Sequence, residues 1–236
     1  MDGVGTTMAL PQRRVVDALT RALHALMALS FGLAYLTAEM EGWRLLHVTM
    51  GYSLGLLFAL RLLWAAFGPM RVGLKALRNR VVAWPQVRAM MTRLEAGALL
   101  QQVLAGSMLA LLACVLPLVV SGYATYFEYG GGWIEDIHES VGNLMLAFAG
   151  AHVAAVLVLH WRSPHRPRPM LTGLVSGRGP NLVQHNMAAA AVLVFLLVSG
   201  FWLWQAHVFI TDPQLQHQPQ WLHPVGGYSE DSEGSD

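Results

Sequence analysis

Five stretches of the chain, at roughly 18–38, 44–67, 99–122, 138–160 and 187–205, are long and apolar enough to cross a bilayer as helices, each crossing taking about 20 residues. They predict an all-α fold, a polytopic membrane helical bundle. The charge content agrees. Only 12% of the 236 residues are charged, about half the share of a soluble domain, too little polar surface to cover a water-soluble particle. A cytosolic domain and a disordered chain are thereby excluded. A net charge of +1 offers no general attraction for nucleic acid. The single cysteine, Cys114, excludes an internal disulfide, a Cys-x-x-Cys redox pair, a zinc ribbon and a C-x-x-C-H attachment site. The first span reads as a retained anchor, because its apolar run continues to Tyr35 and Glu39 with no small-x-small cleavage site.

Basic residues fall on alternate loops. Arg13 and Arg14 precede the first span. Arg71, Lys75, Arg78, Arg80, Arg88 and Arg93 lie between the second and third, and Arg162, Arg166, Arg168 and Arg178 between the fourth and fifth. Segment 123–137 and the tail after Trp204 carry no Lys or Arg, and the first short loop has only Arg44 at its edge. The positive-inside rule then predicts a multi-pass protein with a cytoplasmic amino terminus and a carboxyl terminus on the far side of the membrane. Between 68 and 95, basic residues alternate with apolar ones, which suits either an amphipathic helix on the inner leaflet or a solvated basic loop. The outer loop carries Tyr123, Tyr126, Phe127, Tyr129 and Trp133, either an interfacial belt or a docking surface. The acidic segment 226–236 is expected to be disordered.

Four of the ten histidines, His24, His47, His138 and His152, lie within apolar spans. An ionisable group there is a functional candidate, because unpaired ring nitrogens in hydrocarbon are costly. His138 and His152 are 14 residues apart, about 40° short of four helical turns, with a rise of about 21 Å. Both rings therefore project from nearly one face, at two depths. Given alternating span directions, His47 shares the outer depth with His138, and His24 shares the inner depth with His152. Two pairs of imidazoles stacked in one bundle suit two bis-histidine metal centres.

No carboxylate or thiolate accompanies these histidines to complete a tetrahedral zinc or copper site. Haem iron needs only two axial protein ligands, since the porphyrin supplies four nitrogens. Small residues one turn after the ligands would clear space for a flat macrocycle: Gly51 after His47, Gly142 after His138 and Ala28 after His24, with Gly55 and Gly32 extending the stripes. The competing reading of these glycines is helix packing. Arg61 stands 14 residues after His47 and so reaches the inner depth on the ligand face. It would pair with a haem propionate, bind a quinone headgroup, or snorkel to the inner headgroups. Cys114 reads as a small packing residue.

The runs LTRALHALMALSFGLAYLT, LLHVTMGYSLGLLFALRLLW and HESVGNLMLAFAGAHVAAVLVLHW resemble the bacterial cytochrome b561 superfamily, which includes the b-type cytochrome subunits of nickel–iron hydrogenases. The shorter run MLTGLVSGRG is similar to that family's inner-face segment. The resemblance implies four haem-binding helices over residues 1–178, an added transmembrane helix at 179–205 and a polar outer tail at 206–236. It implies two non-covalent b-type haems, one on His24 and His152 and the other on His47 and His138. It also implies an electron-transfer subunit working between membrane quinone and an outer redox protein, whether a c-type cytochrome, a hydrogenase or another oxidoreductase. Two alternatives stand beside this reading. One is direct haem chemistry on superoxide or ferric iron at the outer face, which the acidic outer loop disfavours. The other is a non-redox metal or proton pathway.

Overall fold

The computed structural model describes residues 11–67, 96–163 and 168–211. The expectations for 68–95 and for the tail 226–236 concern residues outside those described. Five helices are long and apolar enough to cross a membrane: α1 (Ala18–Leu36), α2 (Arg44–Phe67), α3 (Ala96–Tyr126), α4 (Gly132–Arg162) and α5 (Ala188–Thr211). The chain is a multi-pass helical membrane protein. Helix α1 starts where the buried Asp17 carboxylate accepts the Thr20 N–H at 2.6 Å and the Thr20 hydroxyl at 3.0 Å, satisfying donors that a helix start leaves free. It stops at Thr37, whose hydroxyl donates back to the Leu33 carbonyl at 2.8 Å.

Helix α4 begins six residues before its apolar span does. Gly131, at φ +74°, turns the chain into the helix, and Glu135 sits favourably in its first turn. The charged residues Glu135 and Asp136, read from sequence as loop, therefore extend the helix beyond the hydrocarbon. Helix α5 likewise runs to Thr211 rather than 205.

Helices α1 and α2 form one antiparallel hairpin, α3 and α4 a second, and the hairpins meet chiefly through α2 and α3. The four helices converge on a central layer that includes Phe31, Leu54, Cys114 and Met145, all buried. Phe31, Leu54 and Met145 each stand seven residues after a histidine (His24, His47 and His138), a rise of about 10 Å. The apolar layer thus lies between the two histidine depths, and Cys114 packs within it. Helix α5 lies on the α1–α2 hairpin through Leu19, Leu23, Leu26, Leu57 and Ala191. Two polar contacts fix it, Trp202 Nε1 to Ser53 Oγ at 3.0 Å and Gln205 Nε2 to Thr49 Oγ1 at 3.4 Å. Such bonds matter in lipid, where apolar burial between helices supplies little driving force.

At the end where α1 begins, here the near end, the chain closes on itself. Strand β1 (Gln12–Arg14) pairs antiparallel with β2 (Leu174–Ser176), Arg13 opposite Val175. A single helical turn, Pro169–Thr172, precedes β2, and Arg21 reaches across to the Leu171 carbonyl. Gly173 makes the corner at φ +77°, where an added Cβ would lie 2.7 Å from the Val16 carbonyl oxygen. Strain and collision coincide there, so Gly173→Ala is expected to cost more than about 1 kcal/mol. Thermal unfolding in detergent, followed by circular dichroism, should show a lowered midpoint; an unchanged one would mean that the clasp contributes nothing.

Candidate functional site

At the far end, the His47 and His138 rings face each other with centroids 6.0 Å apart and planes crossed at 81°. Each ring is anchored through Nδ1. His47 Nδ1 donates to the Ala34 carbonyl at 2.8 Å. His138 Nδ1 lies 3.1 Å from the Leu118 carbonyl and 3.2 Å from Ser121 Oγ, while the Ser121 hydroxyl itself donates to Leu118 O. A proton held on Nδ1 leaves Nε2 as the lone-pair nitrogen, the tautomer that metal ligation requires.

Toward the near end, His24 lies within electrostatic reach of both His152 and Arg61. His152 Nδ1 contacts Ser107 Oγ at 3.3 Å and the Leu104 backbone, and the Ser107 hydroxyl donates to Leu104 O at 3.1 Å. Arg61 also interacts with Asp17, which accepts a bond from Trp64 Nε1 at 3.4 Å. Between the two depths, the Tyr35 hydroxyl donates to Asn143 Oδ1 at 2.9 Å and ties α1 to α4.

Helix α3 carries none of the four histidines, yet it anchors two of them. Leu104 and Ser107 serve His152; Leu118 and Ser121, fourteen residues later, serve His138 fourteen residues earlier on the antiparallel α4. Sequence reasoning missed these residues. The signal was available, since the span repeats Leu-x-x-Ser at the same interval as the histidines. Gly122 was missed as well: a Cβ there would sit 2.7 Å from His138 Cε1, so the ring packs directly onto the α3 backbone.

The glycines singled out from sequence divide into two kinds. A Cβ at Gly51 or Gly32 would meet nothing within 4 Å, and one at Gly142 only Leu118 Cδ1 at 3.7 Å. A Cβ at Gly55 would come within 3.0 Å of Val119, so that position is small because α2 packs on α3. Packing thus accounts for Gly55 and leaves Gly51 and Gly142, each one turn after a histidine, without a packing explanation.

Among the described residues, no three His, Cys, Asp or Glu side chains converge on a point, so facing imidazoles are the donor sets on offer. Two metal–nitrogen bonds of about 2 Å, with each ring centre just over 1 Å behind its nitrogen, separate axially opposed imidazole centroids by roughly 6 Å. The far pair has that spacing. The helices bearing the rings, α2 and α4 at the far end and α1 and α4 at the near end, do not pack closely together. The residues fit an axially ligated macrocycle.

A helical membrane bundle with facing, Nδ1-anchored imidazoles has the architecture of a b-type cytochrome. The family model of prokaryotic cytochrome b561 matches residues 15–173, well over half of the chain, and the chain belongs to that family. No curated protein and no solved structure matches the chain significantly. It is therefore a membrane b-type cytochrome that works in electron transfer and binds b-type haem. The Gly122 contact gives a direct test. Gly122→Ala should displace His138 and lower haem per chain in a pyridine haemochrome assay. Gly150→Ala, whose Cβ meets nothing within 4 Å, should keep the wild-type value. Equal haem in both variants would remove Gly122 from the site.

Proposed function

We propose that the chain holds two b-type haems and carries electrons across the bacterial inner membrane, between the quinone pool and a redox protein on the periplasmic face. His47 and His138 ligate the haem at the far, periplasmic depth; His24 and His152 ligate the one at the near, cytoplasmic depth. The observation that carries this reading is the repeat of one anchoring device at a 14-residue interval along α3 and α4. Two centres about 21 Å apart along the bundle are what a layer about 30 Å thick demands of an electron carrier. When bound, haem supplies one-electron exchange at iron, with a potential set by ligands, hydrogen bonds and burial.

The residues around the rings have separable tasks. Ala34 and Leu118 hold Nδ1 protons through their carbonyls, and Ser107 Oγ meets Nδ1 of His152, so that Nε2 is aimed into the bundle. Gly51 and Gly142 keep the ligand face free of side chains. Arg61, within electrostatic reach of Asp17 and His24, offers a cation to a haem propionate or a quinone headgroup. The near end is basic, which supports a cytoplasmic amino terminus. The far end carries exposed Glu128, Glu135, Asp136 and Glu139 beside a cluster of Tyr52, Tyr123, Tyr126, Phe127 and Tyr129 rings. That surface repels superoxide, so direct chemistry on a small anion is disfavoured there.

Two measurements test the proposal. Haem quantified against protein should give two per chain, with acid-acetone extracting both. His138→Ala and His152→Ala, once shown to insert, should each retain one haem and lose transmembrane electron transfer. A stoichiometry of one in the wild type would refute the pairing. For orientation, a reporter that fluoresces only in the cytoplasm should stay dark when fused after Asp236; a bright, stable fusion would place the carboxyl terminus inside.

A further inference from the structure

Helix α5 lies beyond the residues that match the family and carries none of the four histidines, yet it ends against the helix that bears His47. Its inward face is a single seam. Met187, Ala191, Val194, Val198 and Trp202 recur at intervals of three and four residues and pack on the α1–α2 hairpin. At the near end the Asn186 carbonyl accepts the Ala18 N–H at 2.8 Å. Toward the far end the seam finishes on two polar donors, Trp202 Nε1 and, three residues later, Gln205 Nε2.

Both donors meet α2 on the side away from its histidine. Thr49 and Ser53 stand two and six residues after His47, about 200° and 240° around the helix from it, and both are buried. Trp202 Nε1 donates to Ser53 Oγ at 3.0 Å, and the Ser53 hydroxyl donates in turn to the Thr49 carbonyl at 2.7 Å. Gln205 Nε2 donates to Thr49 Oγ1 at 3.4 Å. A hydroxyl bonded to the carbonyl four residues back tends to bend its helix. A donor entering that same oxygen polarises and strengthens the bond. The turn gripped in this way contains Gly51, a residue that weakens a helix interior and whose added Cβ would meet nothing within 4 Å. Helix α5 thus braces the most deformable turn of α2, directly after His47.

We propose that α5 is a positioning element for the far histidine pair: through Trp202, Ser53 and Thr49 it sets the rotation of α2, and with it the crossed orientation of the His47 ring against His138. The proposal rests on the ligand assignment above and gives the fifth helix its task. The two ring planes cross at 81°. His138 is held by the Leu118 carbonyl and Ser121 and packs on the backbone at Gly122. His47 is tied through Nδ1 to the Ala34 carbonyl at 2.8 Å, a bond that fixes one ring atom and leaves the plane to follow α2. Helices α2 and α4 do not pack closely together, so the ring angle depends on what holds α2 from behind.

The angle has a direct magnetic signature. Axial imidazoles with crossed planes leave the iron orbitals they interact with nearly equal in energy. Ferric low-spin iron then gives a strongly anisotropic paramagnetic resonance with a large maximum g, and planes closer to parallel lower that value.

Electron paramagnetic resonance of the oxidised, haem-loaded full chain in nanodiscs tests the brace. The wild type should show a large-g signal that His138→Ala abolishes and His152→Ala keeps. Trp202→Phe removes the indole N–H and keeps an aromatic ring. It should move at least half of that signal to lower maximum g, while haem per chain and the signal that survives His138→Ala stay at their wild-type values. Introduced into Ser53→Ala, the same change should add nothing, because the hydroxyl through which it acts is gone. Phe195→Leu, on the exposed side of α5, should leave every signal in place. An unchanged far signal in Trp202→Phe, or an equal further shift in the Ser53→Ala background, would overturn the proposal and leave the ligands standing. Loss of haem from both centres in Trp202→Phe would also overturn it, as the mark of a general loss of packing. Survival of the large-g signal in His138→Ala would overturn the ligand assignment and the proposal with it.

Discussion

A histidine ring in hydrocarbon has two polar nitrogens and no water to satisfy them, and the architecture follows from how this chain meets that demand. For three of the four intramembrane histidines, Nδ1 finds its partner on a neighbouring helix: Ala34 of α1 for His47, Leu118 and Ser121 of α3 for His138, Ser107 of α3 for His152. Each bond fixes a rotation and a depth as well as a proton. Because α3 and α4 are antiparallel, two such bonds at equal and opposite offsets admit a single register, and a slip of one residue would strand both rings. The rest of the bundle is arranged around that alignment.

The layer of Phe31, Leu54, Cys114 and Met145 occupies the interval left by this register. Apolar and buried, it gives all four helices a common packing plane away from the histidines. Division of labour along the axis, polar anchoring at two depths and packing between them, lets the ring-bearing helices stand apart where the sites are. Helix α5 lies outside this scheme, docked on the first hairpin by Trp202 and Gln205, and beyond the residues that match the family.

How much of this was legible in the sequence depended on whether a feature is carried by one helix or by two. The five spans and the phase relation of His138 and His152 are single-helix properties, readable from apolar length and a period of 3.6 residues. Ser107 and Ser121 were not recognised, because a serine in an apolar helix ordinarily bonds its own preceding turn, and these do so as well. Only the pairing of α3 with α4 gives their second contact to a ring. Gly122 and Gly55 look alike in sequence; the opposing side chain, His138 for one and Val119 for the other, separates them. Helix α4 begins six residues before its apolar span, because charge at Glu135 and Asp136 ends the hydrocarbon and not the helix. Strands of three residues, paired across some 160 positions, leave no periodic trace at all.

That last pairing has a consequence for the order of assembly. Strand β1 leaves the ribosome well before its partner β2, which does not exist until residue 176 has been made and returned to the same side of the membrane. At roughly 5–20 residues per second, the interval is on the order of 10–30 s. Through most of it the second hairpin is itself incomplete, because α4 ends at Arg162, so the clasp closes only after all four helices have been made. The clasp is therefore a late buckle, fastening the beginning of α1 to the segment after α4 only once the fourth helix has returned the chain to that side.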